Sequence, residues 1–202
     1  MKEIIIATGN AGKVKEFREM FAGLGIAATS LADHWNPLPN IPETGSTFHE
    51  NAKIKADWVY ENTSGIWALA DDSGLEVDAL NGAPGVISAI YSGEGATSSS
   101  NNEKLLYELR DIPEDKRTAR FKCVLILRTG ADTYHTFEGT CEGRIINTEV
   151  GEKGFGYDPL FIPDGYDKTF AELDSETKNS ISHRGRALKK LYEALAGHQI
   201  IA

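Results

Sequence analysis

The chain has 202 residues, 41% hydrophobic and 25% charged, which is the make-up of a soluble globular protein long enough to bury a core. A formal charge of −9 argues against a protein that wraps nucleic acid, and leaves room for one small polyanion held by a few cations and a divalent metal. Two cysteines, Cys123 and Cys141, are too few for a disulfide framework or a thiolate zinc site.

The N-terminal run Ile4-Ile5-Ile6-Ala7 is too short for a signal peptide, and no stretch approaches the roughly 20 apolar residues of a membrane span. A cytoplasmic, reduced protein with no membrane partner is expected. No repeat or linker divides the sequence, so residues 1–202 are read as a single domain.

Ile4-Ile5-Ile6-Ala7 predicts a short buried strand ended by a glycine turn. A helix follows, with Val14, Phe17, Phe21 and Leu24 on one face and Gly23 and Gly25 at its end. Thr47-Phe48-His49-Glu50 has capping-box spacing and opens a second helix. Phe48, Ala52, Lys55 and Val59 share one face of that helix, with Asn51 one turn from Lys55. Ile66–Ala70 reads as a strand broken by the turn Asp71-Asp72-Ser73-Gly74.

The glycine-rich stretch from Asn81 to Gly95 reads as an irregular loop near a binding surface. Asn101 or Asn102 is a candidate cap for a helix bearing Leu105, Leu106 and Leu109. Ala119–Leu127 and Thr133–Phe137 predict a hairpin about Gly130-Ala131-Asp132, and Gly143–Asn147 a further strand. A last helix starts after Ser182, presents Leu188, Leu191 and Leu195, and stops at Gly197. Mixed helices and strands with a central hairpin predict an α/β fold on a mixed sheet.

Several segments carry chemistry. Thr8-Gly9-Asn10-Ala11-Gly12-Lys13 turns a strand into a helix, where backbone N–H groups and the helix dipole favour phosphate; a glycine-rich turn with a solvated lysine is the plainer alternative. It departs from a Walker A loop, having two residues between its glycines and Val14 after Lys13. Asp71 and Asp72 are expected to point apart, one of them into a site as a magnesium ligand or a base. Glu43 is a weaker second carboxylate. An inward Lys55 needs an anionic partner, or snorkels to solvent.

Gly154-Phe155-Gly156-Tyr157-Asp158-Pro159 offers either a ring that stacks on a nucleobase or an aromatic plug beneath a loop. His183, Arg184 and Arg186 at a helix start, with Lys178 before them, oppose the helix dipole, and that local cost points to function. Together the segments describe a nucleoside triphosphate site.

The motifs occur in a specific order: Ala7-Thr8-Gly9-Asn10-Ala11-Gly12-Lys13, Glu50-Asn51-Ala52 with Lys55, Ala70-Asp71-Asp72-Ser73-Gly74-Leu75, Gly82-Ala83-Pro84-Gly85, Phe155-Gly156-Tyr157-Asp158-Pro159 and Ser182-His183-Arg184. From Ile4 to Leu195 the chain resembles the inosine triphosphate pyrophosphatase family, the non-canonical purine nucleoside triphosphate pyrophosphatases, in its bacterial branch.

The resemblance implies hydrolysis of ITP, dITP and XTP to the monophosphate and pyrophosphate with Mg²⁺, in a homodimer. It also implies an elongated, strongly bent mixed sheet flanked by helices, two lobes and a central active-site cleft. By matched position, Thr8, Gly9, Asn10, Ala11, Gly12 and Lys13 hold phosphates, with Lys55 beside the triphosphate. Asp72 is base and metal ligand, Glu43 the second ligand, and Ser73 a substrate contact. Phe155, Gly156, Tyr157, Asp158, Lys178, His183 and Arg184 form the nucleoside pocket. One departure stands out: Ile87-Ser88-Ala89-Ile90-Tyr91 occupies a place where the family pattern carries a tyrosine and an arginine, at Ile87 and Ile90.

Overall fold

The computed structural model describes residues 3–197, 199 and 200; Met1 and Lys2, at the head of the N-terminal run, lie outside them. The elements in chain order are β1 (Glu3–Ile6), α1 (Ala11–Ala22), β2 (Ala27–Ser30), α2 (Leu31–His34), α3 (Phe48–Glu61), β3 (Trp67–Val77), α4 (Ser98–Leu109), β4 (Thr118–Arg128), β5 (Tyr134–Ile145), β6 (Phe161–Pro163), α5 (Ser175–Ile181) and α6 (His183–Ala196). The strands form one mixed sheet in the order β2-β1-β3-β4-β5-β6. β1 is parallel to both β2 and β3, whereas β6 runs antiparallel to β5. No helix among the described residues is long and apolar enough to cross a membrane.

The chain divides into two compact units. The first comprises the residues up to Asp72, Val124–Glu138 and those from Ala187 onward. The second comprises Ser73–Cys123 and Gly139–Arg186.

In the first unit, Ile4, Ile5 and Ile6 are all buried, successive side chains on both faces of β1, as the continuous apolar run of an interior parallel strand requires. Asn10 caps α1, its side chain accepting from Lys13 N at 3.1 Å, and Val14, Phe17 and Phe21 are the buried face. Thr47 caps α3 as its spacing predicts, accepting from Glu50 N at 3.1 Å. The Glu50 carboxylate accepts in addition from the Ser46 amide and hydroxyl. β4 and β5 are sheet neighbours joined through Gly130-Ala131-Asp132, the predicted hairpin.

The second unit has a core that includes Leu75, Leu105, Leu109, Phe121, Phe161 and Phe170. Two expectations are corrected here. The helix is capped by Thr97, not by Asn101 or Asn102, because the Thr97–Ser100 run supplies a cap four residues earlier. Both asparagines are buried instead and tie down loops: Asn101 bonds Ser92 N and the Ser88 and Ala89 carbonyls, and Asn102 bonds Gly156 O. The strand predicted at Gly143–Asn147 is the end of the long β5. Gly143 sits within it because a Cβ there would come within 2.3 Å of Ile162 O on β6.

Candidate active site

The first unit gathers most of the predicted phosphate and metal residues. The predicted break at Asp71-Asp72 does not occur: β3 runs through both carboxylates and on to Val77. The strand survives because each carboxylate has a cation to meet. Strand alternation sends the two side chains to opposite faces, as expected of adjacent residues. Asp71, 2% exposed, takes the Lys13 ammonium at 2.5 Å. Asp72 faces Lys55, whose ammonium is 3.9 Å from Asp72 Oδ1 and 3.3 Å from Glu43 Oε2.

Lys55 is therefore an inward lysine with two anionic partners, and the snorkelling alternative does not apply. Its side chain is only 14% exposed. Burial pushes the Asp72 carboxyl up to about 6; Glu43 and Asp71 push the same way, while Lys55 and a hydrogen bond from Asn51 pull it down.

Around the turn that precedes α1, Thr8 Oγ1 accepts from Asn10 N at 3.2 Å, and residues Gly9 to Gly12 are exposed. Lys13 closes this turn while paired to Asp71, so the turn and β3 are tied together.

Glu43 and Asp72 offer hard oxygen donors converging on one cationic charge. No group of three or more His, Cys, Asp or Glu side chains among the described residues is arranged for a metal. Two carboxylates fit Mg²⁺, which commonly takes one or two carboxylates and completes its shell with water and substrate phosphates.

The second unit gathers the residues predicted for the nucleoside. Gly154 and Gly156 have positive φ and raise Phe155 to 60% exposure. Asp158 pins this turn, accepting from Phe155 N at 2.9 Å and from the Lys178 ammonium at 2.6 Å. A side chain at Gly154 would bring a Cβ within 2.1 Å of that carboxylate. Lys178 and Arg184 lie 5.4 and 5.7 Å from the Phe155 ring centroid.

Tyr157 differs from Phe155. It is 5% exposed and its hydroxyl donates to Ser88 O at 2.7 Å, so its ring is a core plug and not part of an exposed aromatic shelf. His183 is stacked on Phe121 at 4.9 Å between centroids and 13° between planes. Ser182 Oγ accepts from Gly185 N at the start of α6, as predicted. Gly185 is needed there, since a Cβ would come within 1.7 Å of Asn179 O on α5. Ser73, the first residue of this unit, continues β3.

Three residues have contacts at these segments that the sequence does not assign to them. Phe121 beneath His183 is one, and Asn102 beneath Gly156 is another. The third is Asn51, which joins Gly45 to Asp72. Asparagines at 2% exposure, among the apolar positions of α3 and α4, are the signal that marks Asn51 and Asn102.

The sequence profile of the Ham1 family matches residues 4–194. The chain belongs to the Ham1 family. It is 50% identical over 193 residues to the dITP/XTP pyrophosphatase of Oceanobacillus iheyensis, covering 95% of this chain and 96% of that one. It is 51% identical over 193 residues to the protein of that name from Desulforamulus reducens, covering 96% and 95%. Among solved structures, the Staphylococcus aureus Ham1 protein is similar with a TM-score of 0.90 and 41% identity, over 98% of this chain and all of that one. A HAM1 protein from Coxiella burnetii gives 0.91 and 42% over 98% and 100%. The mixed α/β sheet is thus the Ham1 fold, and the motifs that carried the resemblance lie on it as described.

Proposed function

We propose that this Ham1-family chain hydrolyses the non-canonical purine nucleoside triphosphates ITP, dITP and XTP to the monophosphate and pyrophosphate, with residues 1–202 acting as one pyrophosphatase domain. The observation that carries the reading is the meeting of Glu43, Lys55 and Asp72, two carboxylates and a lysine drawn from a loop, a helix and a strand. The names of the relatives support the choice of substrate.

Glu43 and Asp72 would hold Mg²⁺. When bound, the ion supplies positive charge against the phosphate oxygens as charge builds on the leaving pyrophosphate. Lys55 adds a fixed positive charge for the triphosphate. Thr8 to Lys13 contact phosphates through the exposed turn, where N–H groups and the α1 dipole favour anions. Asp72 takes the proton of the attacking water as the bond between the α and β phosphates breaks. In the metal-free site this carboxyl, raised to about 6 by burial, is ionised at neutral pH and so able to accept a proton.

The base end falls to residues of the second unit. Phe155 presents a face for stacking, and Lys178, His183 and Arg184 are donors. Hypoxanthine and xanthine carry a 6-keto acceptor, where adenine carries an amino donor. Adenine would leave such donors unpaired, a mismatch that discriminates strongly. Ser73, Gly156, Tyr157 and Asp158 complete the contacts; for Tyr157 and Asp158 the contribution is to hold the turn. The family resemblance adds a homodimer and a cytoplasmic location to the reading.

Product analysis by anion-exchange chromatography tests the reaction type. Inosine monophosphate with pyrophosphate supports it; inosine diphosphate with orthophosphate, or no product, contradicts it.

A further inference from the structure

Glu43 sits on a loop and Asp72 on a strand, 29 positions on, and a pair of metal carboxylates must be held in register by something. The connection is short. Two residues beyond Glu43, Gly45 N donates to Asn51 Oδ1 at 2.8 Å. Because that oxygen faces Gly45, the amide nitrogen of the same side chain is left to donate, and it hydrogen-bonds the Asp72 carboxylate.

Asn51 itself is 2% exposed, on the buried face of α3 one turn before Lys55. Gly45 is closed onto it. A Cβ at Gly45 would fall 2.6 Å from Glu50 Cβ, 2.7 Å from Asn51 Oδ1 and 3.0 Å from Asn51 N. Only glycine lets the loop approach this far.

We propose that Gly45 and Asn51 form a clasp in which Asn51 is a positioning residue: its amide fixes the Glu43 loop and the Asp72 carboxylate to one another, and so sets the affinity for the divalent cation. This rests on the reading of Glu43 and Asp72 as metal ligands and deepens it. Groups that orient metal ligands typically change affinity or activity by about 10–100-fold when removed. Asn51 does not touch the phosphates in this account, so its loss weakens metal binding more than turnover at saturating metal.

The test uses Mn²⁺ alone as probe, titrated into the full chain and followed by electron paramagnetic resonance, with circular dichroism confirming the fold. Asn51→Ala and Gly45→Ala act on the two sides of one hydrogen bond, so either alone carries the test if the other does not fold. Both are expected to raise the Mn²⁺ dissociation constant about 10-fold or more. The Mg²⁺ concentration giving half-maximal rate should rise in step, with kcat at saturating Mg²⁺ within a few-fold of wild type. Wild-type Mn²⁺ affinity in both variants, with weakened binding in Glu43→Gln and Asp72→Asn, overturns the clasp and leaves the metal assignment standing. Unchanged affinity in those two carboxylate variants as well, or no saturable Mn²⁺ binding to wild type, removes the metal assignment and the clasp with it.

Discussion

Lys13, in the first turn of α1, holds the buried carboxylate of Asp71, 58 residues away on β3. The lysine predicted to serve phosphate is therefore also a structural counter-ion. Replacing it with alanine strands a carboxylate that is 2% exposed. Removing one partner of a buried pair costs more than the pair contributes, and with Lys13 partly exposed the loss should be about 2 kcal/mol. Chemical denaturation of Lys13→Ala, compared with Lys13→Ala/Asp71→Asn, checks this. The double variant should recover most of the loss.

Asp72 gives a prediction with a sign. Its folded-state pKa lies above the ordinary carboxylate value, so the ionised form is a cost to the metal-free fold. That cost is present in full above pH of about 6 and is relieved as the pH falls toward about 4. Asp72→Asn should accordingly stabilise the metal-free protein by about 2 kcal/mol near neutral pH, with the gain vanishing near pH of about 4, while abolishing turnover. Denaturant midpoints across this range, beside a rate assay, measure both. Appreciable residual turnover contradicts the role of Asp72 as base.

Phe155 is 60% exposed, so Phe155→Ala should leave stability within about 0.5 kcal/mol. A stacked base contributes about 1–3 kcal/mol, so KM for ITP should rise roughly 10-fold or more. Thermal melts and steady-state kinetics separate the two effects.

Ile90 stands where the resemblance leads one to expect an arginine, and is 62% exposed. Its side chain has room to become arginine without disturbing the packing of Ser88 or Tyr91, both buried beside it. Ile90→Arg should lower KM for the triphosphate and leave the melting temperature unchanged. Unaltered KM, kcat and oligomeric state would sink the idea that the lost guanidinium weakens substrate binding.

The parts of the fold legible in sequence are those whose signal is local. β1, α1, α3 and the β4–β5 hairpin announce themselves by apolar runs, by caps and by a turn. β2 and β6 do not, since Ala27–Ser30 carries no apolar alternation and Phe161–Pro163 is three residues long. The misread strand end at Asp71 has the same origin: acidic residues favour turns until a distant lysine makes a strand tolerable, and Lys13 and Lys55 are distant in sequence. Candidate site residues were legible by type, whereas their partners were not. Phe155 and Tyr157 look alike two positions apart, and only the fold exposes one and buries the other. Asn51 was visible as a neighbour of Lys55, but its bond to Gly45 depends on where a loop closes.

The central claim is selective pyrophosphate release from non-canonical purine triphosphates. Its most direct measurement is the initial rate of pyrophosphate release with Mg²⁺ across ITP, dITP, XTP, GTP, ATP and dTTP. The account predicts rapid release from ITP, dITP and XTP, and far slower release from ATP, GTP and dTTP. Equal rates across the panel, or no release from any member, would contradict it.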